Sequence, residues 1–343
     1  MKKQIAASLI ALAVALNGCG SSVLIKQEAT STVTAGKNAI TEINKFYDFL
    51  FNKQAELAAT IIARNTSCQY GEFIVVRIPK NQGDKNKGLC LSSSEISAWY
   101  KDKSLGEEVK LTPLEKNSLK TSMDILEAFS VYLEALSKHT ETPGTPIAST
   151  LVGVKTELES INTKVEFLEA NTKAKLAQSA AITDFIAYLE KLIENSNNAK
   201  EIEKIVATNG ARQEENLLAV AAEADGIYKT YVATMSSTLT TTLGEYYNKN
   251  MASKEFDTAE KRQIYLSTLF KQEQLDNQIS TSPSPGGAAI RKFATAHAKL
   301  RNAISGNYSE EQKAFLVDEN TKELKEGLQN LASLVQFALS VAI

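Results

Sequence analysis

The chain has few of the residues that interrupt a regular fold. Its 343 residues include only six prolines, sixteen glycines, three cysteines and one tryptophan. Low proline and glycine content leaves few obligatory breaks in secondary structure. Alanine, leucine, glutamate and lysine dominate, and these residues are strong helix formers. The composition therefore favours helix along nearly the whole chain.

Residues that carry catalytic chemistry are also scarce. The two histidines, His139 and His297, lie far apart, and only Glu141 comes close to a metal-ligand spacing with either of them. The sequence contains no glycine-rich phosphate loop, no GxSxG elbow and no HExxH motif. The many carboxylates alternate with lysines, as on the solvated face of a helix. We therefore expect no enzyme activity, no cofactor and no metal site.

An excess of basic charge is absent as well. The formal net charge is −2, and removal of residues 1–18 takes away two lysines and no acidic residue, which gives −4. Charges of both signs are interspersed along the chain. A nucleic-acid-binding protein would concentrate basic residues on one face. The sequence therefore predicts no nucleic-acid partner.

The N-terminus has the pattern of an export signal. Lys2 and Lys3 precede an apolar run of twelve residues, 5–16, which is too short to span a bilayer. The run ends in Leu16-Asn17-Gly18-Cys19. This ending resembles the lipobox of bacterial lipoproteins, although Ala, Ser or Thr is commoner at the position of Asn17. The resemblance implies a signal peptide over residues 1–18, cleavage before Cys19, and acylation of Cys19 with fatty acids such as palmitate.

The same resemblance implies a location. Gly20, and not Asp, follows the cysteine, and Gram-negative lipoproteins with this feature are sorted to the outer membrane. We expect attachment to the periplasmic side of the outer membrane, with surface exposure as an alternative. The partners would then be the membrane, through the lipid, and a protein of the cell envelope. The alternative for the leader is an ordinary secretory signal with a coincidental cysteine.

The central part of the chain predicts a long helical hairpin of coiled-coil type. Apolar residues recur in steps of three and four, which places them on one helical face. They include Leu151, Val154, Leu158, Ile161, Val165 and Leu168. Four short polar residues at 195–198 indicate a turn. We expect two antiparallel helices of 49 residues each, over 146–194 and 199–247.

One short segment departs from the helical pattern. Cys68 and Cys90 form an even pair in an exported chain, which predicts a disulfide. Between them, residues 73–78 are β-branched and apolar, residues 80–88 are polar, and residues 89–91 can return as a second strand. This predicts a disulfide-linked β-hairpin insertion over 68–91. The candidate recognition residues on it are Phe73, Val75, Arg77, Lys80, Lys85 and Lys87.

The alternative interpretation is that the insertion only connects two helices and has no recognition role, with its lysines at a solvated tip. In either case the fold class is all-α, an elongated multi-helix bundle that forms a single domain over residues 19–343. The expected function is that of a lipid-anchored, non-enzymatic scaffold of the cell envelope. Two alternatives remain open. One is a membrane-active protein, similar in layout to helical pore-forming toxins, and the other is a carrier of a small apolar ligand between helices.

Overall fold

The structure is a computed structural model. It describes residues 32–64, 67–69, 71, 73–78, 88–110, 115–141, 146–172, 175–229, 234–281 and 284–342. The predicted signal peptide, the lipidation site Cys19, and the candidate lysines Lys80, Lys85 and Lys87 lie outside the described residues.

Ten helices and two short strands make up most of the described chain, which confirms the all-α bundle. The helices are α1 Thr32–Arg64, α2 Ser93–Trp99, α3 Glu115–Glu141, α4 Ala148–Thr172, α5 Ala177–Glu194, α6 Ala199–Ile227, α7 Thr234–Asn250, α8 Ala259–Thr281, α9 Pro285–Ser305 and α10 Glu310–Ala342. The strands are β1 Phe73–Arg77 and β2 Gly106–Lys110.

One continuous apolar core joins seven of the helices. Helices α1, α3, α4, α5, α6, α9 and α10 contribute buried side chains to it. The predicted apolar positions of α4 are at most 2% exposed, so the three-four spacing identified the inward face correctly. Helix α9 packs along α6, and α10 packs along both α1 and α9.

The predicted helix over 146–194 is divided in the structure. Helix α4 ends at Thr172 and α5 begins at Ala177, and the two fold back on each other. Lys155 Nζ of α4 lies 3.0 Å from Glu190 Oε1 of α5, which requires an antiparallel arrangement. This is a correction to the single 49-residue arm.

Two carboxylates explain the division. The N-cap residue of α5, Leu176, has an extended backbone and no side-chain acceptor of its own. Glu169 of α4 accepts the Leu176 N–H at 2.9 Å, and Glu223 of α6 accepts the Ala177 N–H at 2.5 Å. These groups satisfy donors that a helix start otherwise leaves unpaired.

The predicted turn at 195–198 is confirmed. Asn198 is the N-cap of α6, and its side chain accepts the Glu201 N–H at 3.3 Å. Helices α5 and α6 then run together, joined by an ion pair between Arg212 and Asp184 at 2.8 Å. The second predicted arm, 199–247, contains α6 and α7, with residues 230–233 outside the described part. Helix α6 packs along α5 as predicted, whereas α7 packs mainly against α8 and α1.

The insertion contains the predicted strand and the predicted disulfide between Cys68 and Cys90. The predicted return strand 89–91 meets β1 only in an isolated bridge between Val76 and Cys90. The regular partner of β1 is β2, which pairs antiparallel from Phe73↔Lys110 to Arg77↔Gly106. We call residues 67–110, as far as they are described, the β unit.

Candidate functional site

Strand β1 is covered on both faces, which accounts for its continuous apolar sequence. Each face packs against a small cluster of its own. One cluster contains Ile74, Val76, Cys68 and Cys90, with Ile62 of α1 against it; the other contains Val75, Leu91 and Trp99, with Phe73, Ile96 and Leu105 against it. The disulfide therefore ties Cys90 to the start of the β unit, Ile62 packs the end of α1 against it, and Trp99 holds α2 against the sheet.

Trp99 has a structural role within the β unit. Its indole Nε1–H donates to the Gly106 carbonyl at 2.9 Å, and its side chain is almost fully buried. Gly106 allows this close packing, because a Cβ there would lie 2.7 Å from Val75 Cγ1. Lys103 Nζ lies 3.0 Å from the centroid of the Trp99 ring, a cation–π contact on the outer side.

Arg77 is held by a bidentate ion pair. Its two terminal nitrogens donate to the two carboxylate oxygens of Glu95, each at 2.7 Å, and its Nε donates to the Gly88 carbonyl at 3.1 Å. The hydrogen bonds from Arg77, helped by the Ser92 N–H, lower the pKa of Glu95 to about 2. This pair connects the end of β1 to the first turn of α2.

An open groove of about 920 Å³ lies where these parts meet. Its walls are β1 and the nearby Ser67 and Gln69, the segment from Gly88 to Ser92, and the first turn of α2. Three predicted recognition residues, Phe73, Val75 and Arg77, line it. The rest of the described lining includes several serine hydroxyls and apolar side chains, so the groove offers both hydrogen bonds and apolar contact.

A second cluster of chemically interesting side chains lies inside the bundle. His297 of α9 is fully buried, and its Nδ1 donates to the Glu214 carboxylate of α6 at 3.0 Å. Its Nε2 lies 2.9 Å from the Tyr132 hydroxyl, which lies 2.9 Å from the Tyr188 hydroxyl. Arg301 donates to both Glu214 oxygens at 2.7 and 3.0 Å. The network joins α3, α5, α6 and α9.

The charge balance of this network favours a structural role. Burial opposes ionisation of Glu214, but hydrogen bonds from His297 and Arg301 outweigh it and lower its pKa to about 2. The five side chains therefore satisfy one another, as a stable buried network requires. Sequence reasoning missed the cluster, because its hydrogen-bonded partners lie 56 to 165 residues apart.

Within the described residues, no group of three or more His, Cys, Asp or Glu side chains is placed to hold a metal ion. None of the described helices combines the length and the apolar character that a membrane crossing requires. Comparison with known proteins finds no family model, no characterised protein and no solved structure that matches this chain.

Proposed function

We propose that the mature chain is a lipid-anchored, non-enzymatic protein of the outer membrane, where it acts as an interaction scaffold for another envelope protein. The helical bundle is the rigid body of the scaffold, and the groove of the β unit is its recognition site. The proposal for the membrane rests on the lipobox-like residues 16–19 alone. The proposal for recognition rests on the groove.

The scaffold role is supported by the way in which the β unit, with its groove, packs against the end of α1. Ile62 of α1 packs against one cluster of the β unit, and the disulfide ties Cys90 to Cys68, four residues after the end of α1. Helix α1 spans 33 residues of the bundle. At 1.5 Å per residue, this helix is roughly 50 Å long. A binding groove on a rigid support loses less conformational entropy on binding than one on a mobile loop.

Anchoring is tested by Cys19→Ala. The unchanged chain should fractionate with the membranes and incorporate radiolabelled palmitate, because its cysteine would carry the acyl chains. The variant should do neither and should appear in the soluble envelope fraction. Release of the variant with an unchanged circular dichroism spectrum would support anchoring. Membrane association of the variant at the level of the unchanged chain would contradict it.

Recognition is tested by site-specific photocrosslinking in cells. A benzoylphenylalanine at Ser93, which lines the groove and is exposed, should capture a discrete envelope protein. The matched control is the same group at the exposed Thr183 of α5, away from the β unit. Equal capture from both positions, or capture from neither, would contradict a recognition role for the groove.

A further inference from the structure

The groove of the β unit lies at a fork between two segments of chain. Segment 89–91 runs antiparallel to β1, with Arg77 N–H donating to the Leu89 carbonyl at 2.8 Å and Leu91 N–H donating to the Val75 carbonyl at 2.9 Å. The pairing stops there, because the chain enters α2 at Ser93. Beyond Val75, the two segments separate, and the groove extends from the paired part into the gap between them.

The fork leaves an edge of β1 open. Alternate residues of a strand direct their backbone groups to opposite edges. Ile78 N–H donates to Leu105 O at 3.1 Å, so the even-numbered residues face β2. Val75 and Arg77 bond to segment 89–91, so Phe73 directs its N–H and carbonyl to that same edge. No described residue pairs with the Phe73 backbone or the Val75 N–H on this edge.

The residues that line the groove come from both faces of β1, as expected for a groove at the edge of a strand. They include Ile74, whose side chain lies on the disulfide face of β1, and Phe73 and Val75, which lie on the Trp99 face. A groove that reaches both faces of a strand passes along its edge. An unpaired strand edge is a template for another strand.

The charges of the lining limit what can enter. Among the described residues, the two charged side chains that line the groove are Arg77 and Glu95, and they neutralise each other in a bidentate pair. The remaining lining is apolar or carries hydroxyl and amide groups, as at Ser67, Gln69 and Ser94. A segment without charge in its middle is complementary to this surface, because a charged one would be desolvated without a partner.

We next ask whether residues 20–31, which follow the predicted lipidation site, could reach the groove. Residues 20–31 could span at most about 42 Å even if fully extended. Helix α1 separates Thr32 from the β unit by roughly 50 Å. Residues 20–31 of the same molecule therefore cannot reach the groove.

We propose that the groove binds an uncharged, extended segment of a partner protein, which adds as a strand to the open edge of β1 at Phe73–Val75. This inference rests on the proposed scaffold function and names the partner's chemistry. The backbone of the segment would hydrogen-bond to Phe73 and to the Val75 N–H. Its alternate side chains would lie against the Trp99 face and the disulfide face.

The test uses the disulfide-bonded mature chain, residues 19–343 with Cys19→Ala, so it does not depend on lipidation. The probe is a phage-displayed library of random heptapeptides, followed by fluorescein-labelled synthetic copies of the recovered sequences. We expect uncharged peptides with alternating β-branched residues. N-methylation of the residues that face β1 should weaken binding at least fivefold, since each removes a backbone donor, and N-methylation of the residues between them should not.

Two substitutions at Phe73 test whether its backbone N–H takes part in peptide binding. Phe73→Pro removes the backbone donor at the first residue of the strand, where proline is tolerated, and should weaken peptide binding at least fivefold. Phe73→Val keeps the donor and should stay within about threefold of the unchanged chain, since side-chain contact alone changes. Trp99 fluorescence reports whether the β unit remains folded in each variant. The N-methylated peptides keep the test decisive if Phe73→Pro misfolds.

Three outcomes would overturn the strand-addition proposal. They are recovery of no peptide, binding that is indifferent to N-methylation, and a dimer on size-exclusion chromatography that uses the same edge. If a partner crosslinks in cells to a surface of this chain other than the groove, the scaffold function is still supported, and only the strand-addition proposal is contradicted. Loss of membrane attachment alone would not affect it.

Discussion

At the level of single residues, the ion pairs of this protein differ greatly in their burial. Glu214 is largely buried between His297 and Arg301, with its side chain only 14% exposed. Glu323 pairs with Lys299 on the surface, with its side chain 69% exposed. Exposed pairs contribute little to stability, whereas a buried carboxylate with several donors is costly to remove. The two glutamates therefore provide a matched comparison.

We predict that Glu214→Gln lowers the free energy of unfolding at pH 7 by about 2–3 kcal/mol. The pKa of Glu214 falls from 4.5 to about 2 on folding. A lowered pKa gives stability that is complete above the unfolded pKa and is lost as the pH falls through the folded one. The difference from the unchanged chain should therefore be full at pH 7 and 5, and it should shrink between pH 4 and 2. Urea unfolding across this range measures it.

The control for this prediction is Glu323→Gln, which should change the free energy of unfolding by less than about 0.5 kcal/mol at any pH. Equal effects of the two substitutions would contradict the assignment of Glu214 to a buried network. The network also shows what a sequence pattern misses at this scale. His297 lies on α9, but its hydrogen-bond partners Tyr132 and Glu214 come from two other helices, and no local spacing links them to it.

At the level of elements, local patterns predicted the inward face of α4 and the turn at 195–198, and they missed the break after Thr172 and strand β2. The turn at Asn198 has its own polar residues and its own cap, so it was visible. The break after Thr172 has no glycine or proline, and the acceptor that caps Ala177 comes from Glu223, 46 residues away. Strand β2, with the sequence GEEVK, was missed because its mostly polar residues give no apolar alternation and its stability comes from pairing with β1.

Because α4 and α5 fold back on each other, positions 155 and 190 should lie close together, whereas one continuous helix would hold them far apart. With nitroxide labels at Lys155→Cys and Glu190→Cys, we expect electron–electron distances under roughly 20 Å, because the two helices pack side by side. A continuous helix would separate these positions by roughly 52 Å. Labels at Lys200→Cys and Glu215→Cys on α6 are the control, at roughly 22 Å. A long distance for the first pair would refute the turn.

The disulfide is expected to stabilise the β unit selectively. Replacement of both cysteines, Cys68→Ser with Cys90→Ser, should destabilise the closed β unit by roughly 3 kcal/mol, since it restores the entropy of a 22-residue loop. Amide hydrogens of β1 should then exchange roughly a hundredfold faster. Helix α3, whose side chains pack in the main core, should keep its exchange rates.

The control for the disulfide is Ser94→Ala, at an exposed position of the same unit. It should leave exchange in β1 unchanged. Equal acceleration in β1 and α3 would show that the β unit and the bundle unfold together. Unchanged exchange in β1 of the double variant would show that the two small apolar clusters hold the unit without the bond.

For the whole molecule, the packing separates one main core from two smaller units. The β unit has its two apolar clusters on β1. The hairpin of α7 and α8 has an aromatic cluster of its own, made of Tyr246, Tyr247, Phe256 and Tyr265. Helix α8 is exposed over most of its surface, including Ile264 and Phe270. In the part of the chain that the structure describes, the main contacts of this hairpin with the bundle are with α1 and α10.

This organisation predicts that the α7–α8 hairpin can be removed without loss of the bundle. The end of α6 and the start of α9 are adjacent, since Asp225 bonds to Arg291 and a Cβ at Gly287 would contact Asp225. A short glycine–serine linker can therefore replace residues 230–283. The free energy of unfolding should fall by less than the roughly 2–5 kcal/mol expected for Leu126→Ala in the main core. Collapse of the shortened chain to an unfolded circular dichroism spectrum would show that the hairpin is part of the main core.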